Sequence, residues 1–229
     1  MAGCKSKKGW RRAVLYFALD IEYTFYYHRA KKTNMPKNKI EVLPLTIKRW
    51  DDMVSVFGEH GGYAGCWCMF WRLDRSDFKK LRGGGTKEIL RQLTEKKQEP
   101  GLITYVDGKP AGWCSVGPRE NYLALENSRI LKRVDEKPVW SIVCFFVDKS
   151  VRKQGLMAEM LRGAVAYAKK HGAKIVEGYP IDMQIEKLAG QKLNSYAGYM
   201  GIASAFREVG FMEAGRASET QLIMRYKIK

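Results

Sequence analysis

The alternation of apolar and polar positions predicts strands and helices from about residue 40 to the C-terminus. Residues 139–147 include a single small polar side chain, which indicates a strand buried on both faces and therefore central in a sheet. Upstream, Asp107-Gly108 separates two apolar runs and predicts a β-hairpin. Apolar residues recur at helical spacing from Met157 to Ala168, and Gly172 is typical of the position after a helix.

The remaining segments complete the predicted order of elements. A strand begins at Ile40, a helix follows from Thr46, and residues 74–98 read as two helices separated by Gly83-Gly84-Gly85. After the long helix come a strand, a last helix over about 198–209, and a closing pair of strands. A chain of 229 residues that is 45% hydrophobic can bury a core of this size, which predicts one α/β or α+β domain.

Composition narrows the class of protein. No apolar run approaches the length of about eighteen residues that a membrane span needs, so we expect no membrane partner. Five cysteines, an odd number spread over a long chain, argue against a disulfide framework and favour a reducing, cytoplasmic location. The net charge of +17 attracts anions, which leaves nucleic acid, acidic lipid and a polyphosphate cofactor open.

Residues 1–34 differ from the rest of the chain because eight lysines and arginines stand there against two acidic residues. We interpret them as a basic leader or appended segment, either helical or disordered, and residues 35–229 as the folded domain. A short apolar run in the leader resembles part of a signal peptide, but no small-residue cleavage site follows at the right distance.

The clearest candidate for chemistry is the junction between the central strand and the long helix. Residues 147–158 leave a buried strand, pass through a basic loop with Arg152 and Lys153, and enter the helix after Gly155. The first N–H groups of a helix lack intrahelical partners and carry partial positive charge, and a glycine there allows a phosphate to approach. The junction therefore predicts an anion site, although it matches neither a P-loop nor a dinucleotide fingerprint.

Arg152-Lys153-Gln154-Gly155-Leu156 resembles the first five places of Arg/Gln-x-x-Gly-x-Gly/Ala, the signature of the GCN5-related N-acetyltransferases (GNAT). Met157 departs from the sixth place, although Ala158 follows it. A second resemblance is the helix end before Gly210-Phe211, which is similar to the late Tyr-x-x-x-Gly-Phe pattern of that family. Together with the order of elements, these motifs place the resemblance over residues 40–229.

The resemblance implies a GNAT-like acyl-CoA acyltransferase fold, with a mixed, mostly antiparallel central sheet flanked by helices on both faces. It implies acetyl-CoA as co-substrate, no metal, and pantetheine hydrogen bonds from the backbone of Phe145 and Val147. It also allows a homodimer, a common state of this fold. The residues implied to hold the diphosphate are Arg152, Lys153, Gln154, Gly155, Leu156, Met157 and Ala158.

The resemblance further implies acetyl transfer to a primary amine by direct attack in a ternary complex. As general base we nominate Glu177, on the strand after the long helix, with Asp182 as second choice and a surface carboxylate as the ordinary alternative for each. The family's proton-donating tyrosine is replaced by Phe206. Tyr199 and Tyr196 occur earlier in the same region and Ser204 is nearby, but none occupies the matching position. The catalytic acid therefore stays open, with Tyr199 as our nomination and solvent as the alternative.

Residues 65–72 are rich in aromatic and sulfur-containing side chains. Cys66 and Cys68 form a single Cys-x-Cys, which offers too few ligands for zinc, so packing against the neighbouring rings is the favoured interpretation and a reactive thiol the alternative. In the implied fold this segment roofs the acceptor site, and Trp67 and Trp71 are therefore predicted to bind the acceptor, a small-molecule or peptide amine.

Two other functions remain open at this stage. Met157 and Phe206 are consistent with a non-catalytic acyl-CoA-binding or regulatory module. The positive charge is consistent with a nucleic-acid-binding protein, although the basic residues outside the leader are dispersed and no nucleic-acid-binding motif is present.

Overall fold

The computed structural model describes residues 38–188, 191 and 198–229. Seven strands form one sheet in the order β1-β2-β3-β4-β5-β7-β6, and every neighbouring pair is antiparallel except β4 and β5. The predicted mixed, mostly antiparallel sheet is therefore confirmed. The strands are β1 (Ile40–Pro44), β2 (Leu102–Val106), β3 (Lys109–Pro118), β4 (Trp140–Val147), β5 (Ile175–Gly178), β6 (Met212–Arg216) and β7 (Leu222–Lys227).

The described helices cover both faces of this sheet. Successive residues of a strand point to opposite faces, so Leu102 packs with α5 and α6 while Ile103 packs with α1 and α3. The helices are α1 (Trp50–Phe57), α2 (Arg75–Leu81), α3 (Gly84–Glu95), α4 (Leu123–Glu126), α5 (Leu156–Lys170) and α6 (Ala203–Val209). No helix in the described ranges combines the length and apolar character required to cross a membrane.

Several predictions from the pattern are confirmed. Asp107 and Gly108 both have positive φ and turn the chain between β2 and β3, which pair antiparallel. The predicted central strand is β4, fourth of seven, and α5 carries the predicted apolar stripe. The last helix is shorter than predicted, because Gly201 has φ of 97° and the helix begins only at Ala203. The proposed leader, residues 1–34, lies outside the described residues.

Candidate active site

A gap opens in the sheet beside the second half of β4. The parallel pairing of β4 with β5 covers only Trp140 to Ile142, and β5 ends at Gly178, two residues before Pro180. β4 continues to Val147, and the backbone N–H of Phe145 donates to the carbonyl oxygen of Tyr199 at 2.6 Å. The carboxyl half of the central strand is therefore paired with β3 on one side and faces an opening on the side of β5.

The loop after β4 closes one end of this opening. Lys153 and Gly155 both adopt left-handed backbone conformations, with φ of 64° and 77°, and α5 begins directly after Gly155. The guanidinium of Arg152 folds back and donates through Nε to the carbonyl oxygen of Val147 at 2.9 Å. A Cβ built on Gly155 would meet no atom within 4 Å, so the first turn of α5 faces open space.

Positive charge is concentrated at this turn. Among the described residues, neither Arg152 nor Lys153 has a carboxylate within ion-pair distance, and Glu159, the acidic residue in the first turn of α5, pairs with Arg162 at 2.8 Å. The free N–H groups of the helix and two cations without an ion-pair partner among the described residues thus meet at one place. This arrangement suits a diphosphate.

From the loop, a groove of about 890 Å³ runs along β4. We call this cavity the groove. Its floor is formed by residues 144–147 of β4, by Asp148 and by the start of α5, and one side is formed by Gly198, Tyr199 and α6. The opposite side consists mainly of aromatic side chains from the end of α1, from the segment between α1 and α2, and from α2 itself: Phe57, Tyr63, Phe70, Trp71 and Phe78.

Comparison with known families assigns this architecture. The sequence profile of the acetyltransferase (GNAT) family matches residues 67–179, which include β4, the loop and α5. The chain carries a GNAT acetyltransferase domain. The predicted membership of this family is therefore confirmed.

Solved structures with the same outline include three acetyltransferases. The PaiA N-acetyltransferase of Thermoplasma acidophilum, in complex with coenzyme A, is 13% identical and has a TM-score of 0.46 over 82% of this chain and 99% of its own. The ribosomal-protein-S5-alanine acetyltransferase of Vibrio fischeri is 13% identical, with a TM-score of 0.47 over 86% and 97%. A GNAT-family acetyltransferase of Streptococcus agalactiae is 13% identical, with a TM-score of 0.46 over 83% and 96%. A sequence search of curated proteins found no match.

The GNAT domain brings nearly all the predicted cofactor residues to the groove. Gln154 is the exception, because its amide donates to the carbonyl oxygen of Ser150 at 3.4 Å and it does not line the cavity. The residues that do line it are Phe145, Val147, Arg152, Lys153, Gly155, Leu156, Met157 and Ala158. Met157, the departure from the signature, also packs against the apolar core beneath α5 and α6.

The backbone N–H of Phe145, which is predicted to bind pantetheine, already has a hydrogen-bond partner within the protein. This N–H points away from β3 and donates to Tyr199, so in this structure it is not free for pantetheine. Because hydrogen-bonding direction alternates along an antiparallel strand, the backbone of Val147 faces the same gap. The carbonyl oxygen of Val147 accepts the hydrogen bond from Arg152.

The nominated base, Glu177, does not lie in the groove. Its side chain is fully buried and accepts hydrogen bonds from Arg119 at 3.0 Å, Arg225 at 2.7 Å and the hydroxyl of Tyr179 at 2.7 Å. A carboxylate held by two buried arginines is part of an internal charge network, and this geometry gives no support to its assignment as the base. No local signal in the sequence shows which distant side chains surround β5.

Asp182 is also outside the groove. It is buried against Arg207, whose guanidinium lies 2.8 Å from its carboxylate and holds its pKa below the ordinary value. The arginine comes from α6, so this ion pair fastens that helix to the segment after β5. We assign Asp182 a structural role.

The hydroxyl residues considered as the catalytic acid lie in different places. Tyr199 and Ser204 line the groove, whereas Tyr196 lies outside the described residues. Phe206 is fully buried and packs edge-on against Phe145, with ring centroids 6.1 Å apart. Tyr199 is therefore the nominated catalytic residue that the structure places beside β4.

The two tryptophans predicted to bind the acceptor occupy different environments. Trp67 is 3% exposed, stacks on Trp50 with centroids 6.3 Å apart, and belongs to the core beneath α1 rather than to the lining of the groove, so the geometry gives no support to its binding the acceptor. Trp71 lines the groove. The chain turns sharply between them, with φ of 39° at Trp67 and 57° at Cys68, which periodicity alone does not reveal.

Sequence reasoning missed two groups of groove residues. The aromatic side chains of Phe57, Phe70 and Phe78 were not singled out, because helical spacing is equally typical of core positions. Cys68 and Cys144 both line the groove although 76 positions separate them in the sequence. Within the described ranges, no group of three or more histidine, cysteine or acidic side chains is arranged to hold a metal ion.

Proposed function

We propose that this chain is an acetyl-CoA-dependent N-acetyltransferase that transfers an acetyl group to a primary amine by direct attack in a ternary complex. One observation carries the proposal: the anion site at the start of α5 and the aromatic-sided cavity belong to a single groove along β4. Two substrates entering from its two ends can therefore meet beside the central strand. The acceptor is a small molecule or the amine of a peptide.

The loop residues would hold the diphosphate of acetyl-CoA. The N–H groups that follow Gly155 supply hydrogen bonds, and Arg152 and Lys153 supply charge. Open space at the Cβ position of Gly155 leaves room for phosphate oxygens. The thioester would then extend along β4 toward Tyr199.

When bound, acetyl-CoA supplies an activated carbonyl carbon, and the amine displaces the thiolate there. The amine must lose a proton and the thiolate must gain one. We assign protonation of the thiolate to the hydroxyl of Tyr199, because the backbone of this residue is hydrogen-bonded to Phe145 in the groove.

Removal of the amine proton is assigned to water. Among the described residues that line the groove there is no histidine, and the carboxylates are those of Asp148 and Glu208. Hydrogen bonds from Ser150 keep the pKa of Asp148 below its ordinary value, which makes it a weak base. Glu208 is engaged with Arg162 at 3.4 Å.

The direct test is thiol release from acetyl-CoA across a panel of amines, with mass spectrometry of the product. We expect saturable, amine-dependent release, and we expect Tyr199→Phe to lower kcat about 100-fold while the KM for acetyl-CoA changes little. Tyr63→Phe is the matched control, because this exposed tyrosine also lines the groove and should retain activity.

The alternative function makes the opposite prediction in the same assay. If acetyl-CoA binds saturably but no amine raises thiol release above hydrolysis, the chain is an acyl-CoA-binding module rather than an enzyme. If acetyl-CoA does not bind at all, both assignments fail.

A further inference from the structure

A cluster of thiols lies on the wall of the groove. Cys66, Cys68 and Cys144 line the cavity, and all three are free thiols. Cys144 stands on β4 directly opposite Ser115 of β3, and Cys68 reaches the same place from the turn after Trp67. The sheet thus brings together cysteines that the sequence separates.

A cation without a carboxylate partner lies beside this cluster. Arg72 donates to the carbonyl oxygen of Pro100 at 2.9 Å and to the hydroxyl of Tyr122 at 3.4 Å, and its guanidinium lies over the Tyr122 ring. Its Nε is buried and has no acceptor, and no carboxylate among the described residues lies within ion-pair distance of Arg72. A partly buried cation of this kind stabilises an anion nearby, and the thiol of Cys68 can become one.

The other neighbours of Cys68 act in the same direction. A hydrogen bond from the thiol of Cys144 is the largest influence, and the hydroxyl of Ser115 and the charge of Arg72 add to it. Together they outweigh burial and lower the pKa of Cys68 to about 7. The same hydrogen bond, with burial, raises the pKa of Cys144 well above its ordinary value. Of the two thiols, Cys68 is therefore the one that ionises more readily.

We propose that Cys68 is an oxidisable thiolate that reacts with small hydroperoxides and that Cys144 resolves the product by forming a disulfide with it. This site is separate from acetyl transfer, and nothing in the proposed function requires it. The site consists of Cys68 and Cys144, which both line the groove, and of Arg72, which has no carboxylate partner among the described residues.

The thiolate of Cys68 attacks one oxygen of the hydroperoxide and breaks the O–O bond, giving a sulfenic acid and, after protonation, an alcohol or water. The thiol of Cys144 then attacks the sulfenic sulfur, the S–S bond forms, and water leaves. Two thiols lose two electrons in total, and the hydroperoxide gains them.

Oxidation would also alter the groove. Cys144 is next to Phe145 on β4, beside the position where the thioester is proposed to lie. A disulfide there would join the turn at Cys68 to the central strand and narrow the cavity. This consequence for activity rests on the proposed function, so the primary test does not use activity.

The test is oxidation of the full chain with hydrogen peroxide, followed by peptide mapping of disulfides without reduction. We expect one principal disulfide, Cys68 to Cys144, which dithiothreitol reverses. Mapping distinguishes it from products of Cys4, which lies outside the described residues. A Cys66–Cys68 disulfide as the main product, or oxidation of Cys4 with Cys68 untouched, would overturn the proposal.

Matched variants separate reaction from resolution. Cys144→Ser should leave Cys68 reactive but halt at the sulfenic acid, which a cyclic 1,3-dione traps, whereas Cys68→Ser should abolish both products. Cys114→Ser is the control, because that thiol is fully buried in β3 and its replacement should not change the oxidation products.

Arg72→Gln should slow oxidation of Cys68 at least tenfold, and Arg72→Lys should restore most of the rate. An unchanged rate in Arg72→Gln contradicts the role of the cation.

The pH profile gives an independent readout in the wild-type chain. Because the thiolate is the reactive form, the initial rate should rise with pH and level off above about 7. The other titratable groups around Cys68 change charge at higher pH: burial raises the pKa of Cys66 and Cys114, and that of Tyr122 to about 12. A midpoint at the ordinary thiol value of about 8.5 would refute the assignment.

Discussion

Replacing Gly155 with alanine tests the anion site directly. At φ of 77°, an L-residue costs about 1–2 kcal/mol, and the added Cβ projects into open space that we assign to phosphate oxygens. Charge-assisted hydrogen bonds contribute about 1.5–3 kcal/mol each, so loss of one N–H contact predicts about 10- to 100-fold weaker binding of acetyl-CoA.

Gly172→Ala supplies the matched control. This glycine follows the other end of α5, has φ of 80°, and its Cβ would also meet nothing within 4 Å. Both variants should therefore lose similar thermal stability, about 2–4 °C for each kcal/mol in a chain of this size. Only Gly155→Ala should weaken acetyl-CoA binding measured by calorimetry. Equal affinity in the two variants would refute a diphosphate at the start of α5.

Three further outcomes are expected. Glu177→Gln should lower the free energy of unfolding in urea by about 3–5 kcal/mol, because it removes the negative charge that faces two buried arginines. A large loss of kcat without a loss of stability would instead indicate that Glu177 is catalytic. Gly178→Ala should cost about 1–3 kcal/mol because its Cβ would lie 2.3 Å from the ring of Phe206, whereas Gly117→Ala, with 3.5 Å of clearance, should be nearly neutral. Raising ionic strength should weaken acetyl-CoA binding more than acceptor binding, because phosphate contacts at an open loop are screened; equal salt dependence would contradict this division of the groove.

The parts of the site that could be predicted from sequence are contiguous in the chain. The buried strand, the basic loop, Gly155 and the apolar stripe of α5 follow one another within about 30 residues, and each has a local physical signature. The hairpin at Asp107-Gly108 is of the same kind, because a two-residue turn requires positive φ wherever it occurs.

The site predictions that the geometry does not support depended on distant partners. Its place on a strand next to the central strand made Glu177 a candidate base. The pairing of β3, β4 and β5 instead places Arg119, 58 residues away in the sequence, against its carboxylate. Trp67 and Trp71 are four residues apart, yet left-handed backbone at Trp67 and Cys68 sends one into the core and the other to the groove.

The sequence by itself determined the elements, their order and the basic character of the turn before α5, since these follow from periodicity, glycine placement and charge within one stretch of chain. Tertiary structure alone decided which side chains share the groove: Tyr199 at Phe145, Cys68 at Cys144, and Glu177 away from both. The physical reason is that strand register and the parting of β4 from β5 set these neighbours, and both arise from contacts summed over the whole sheet.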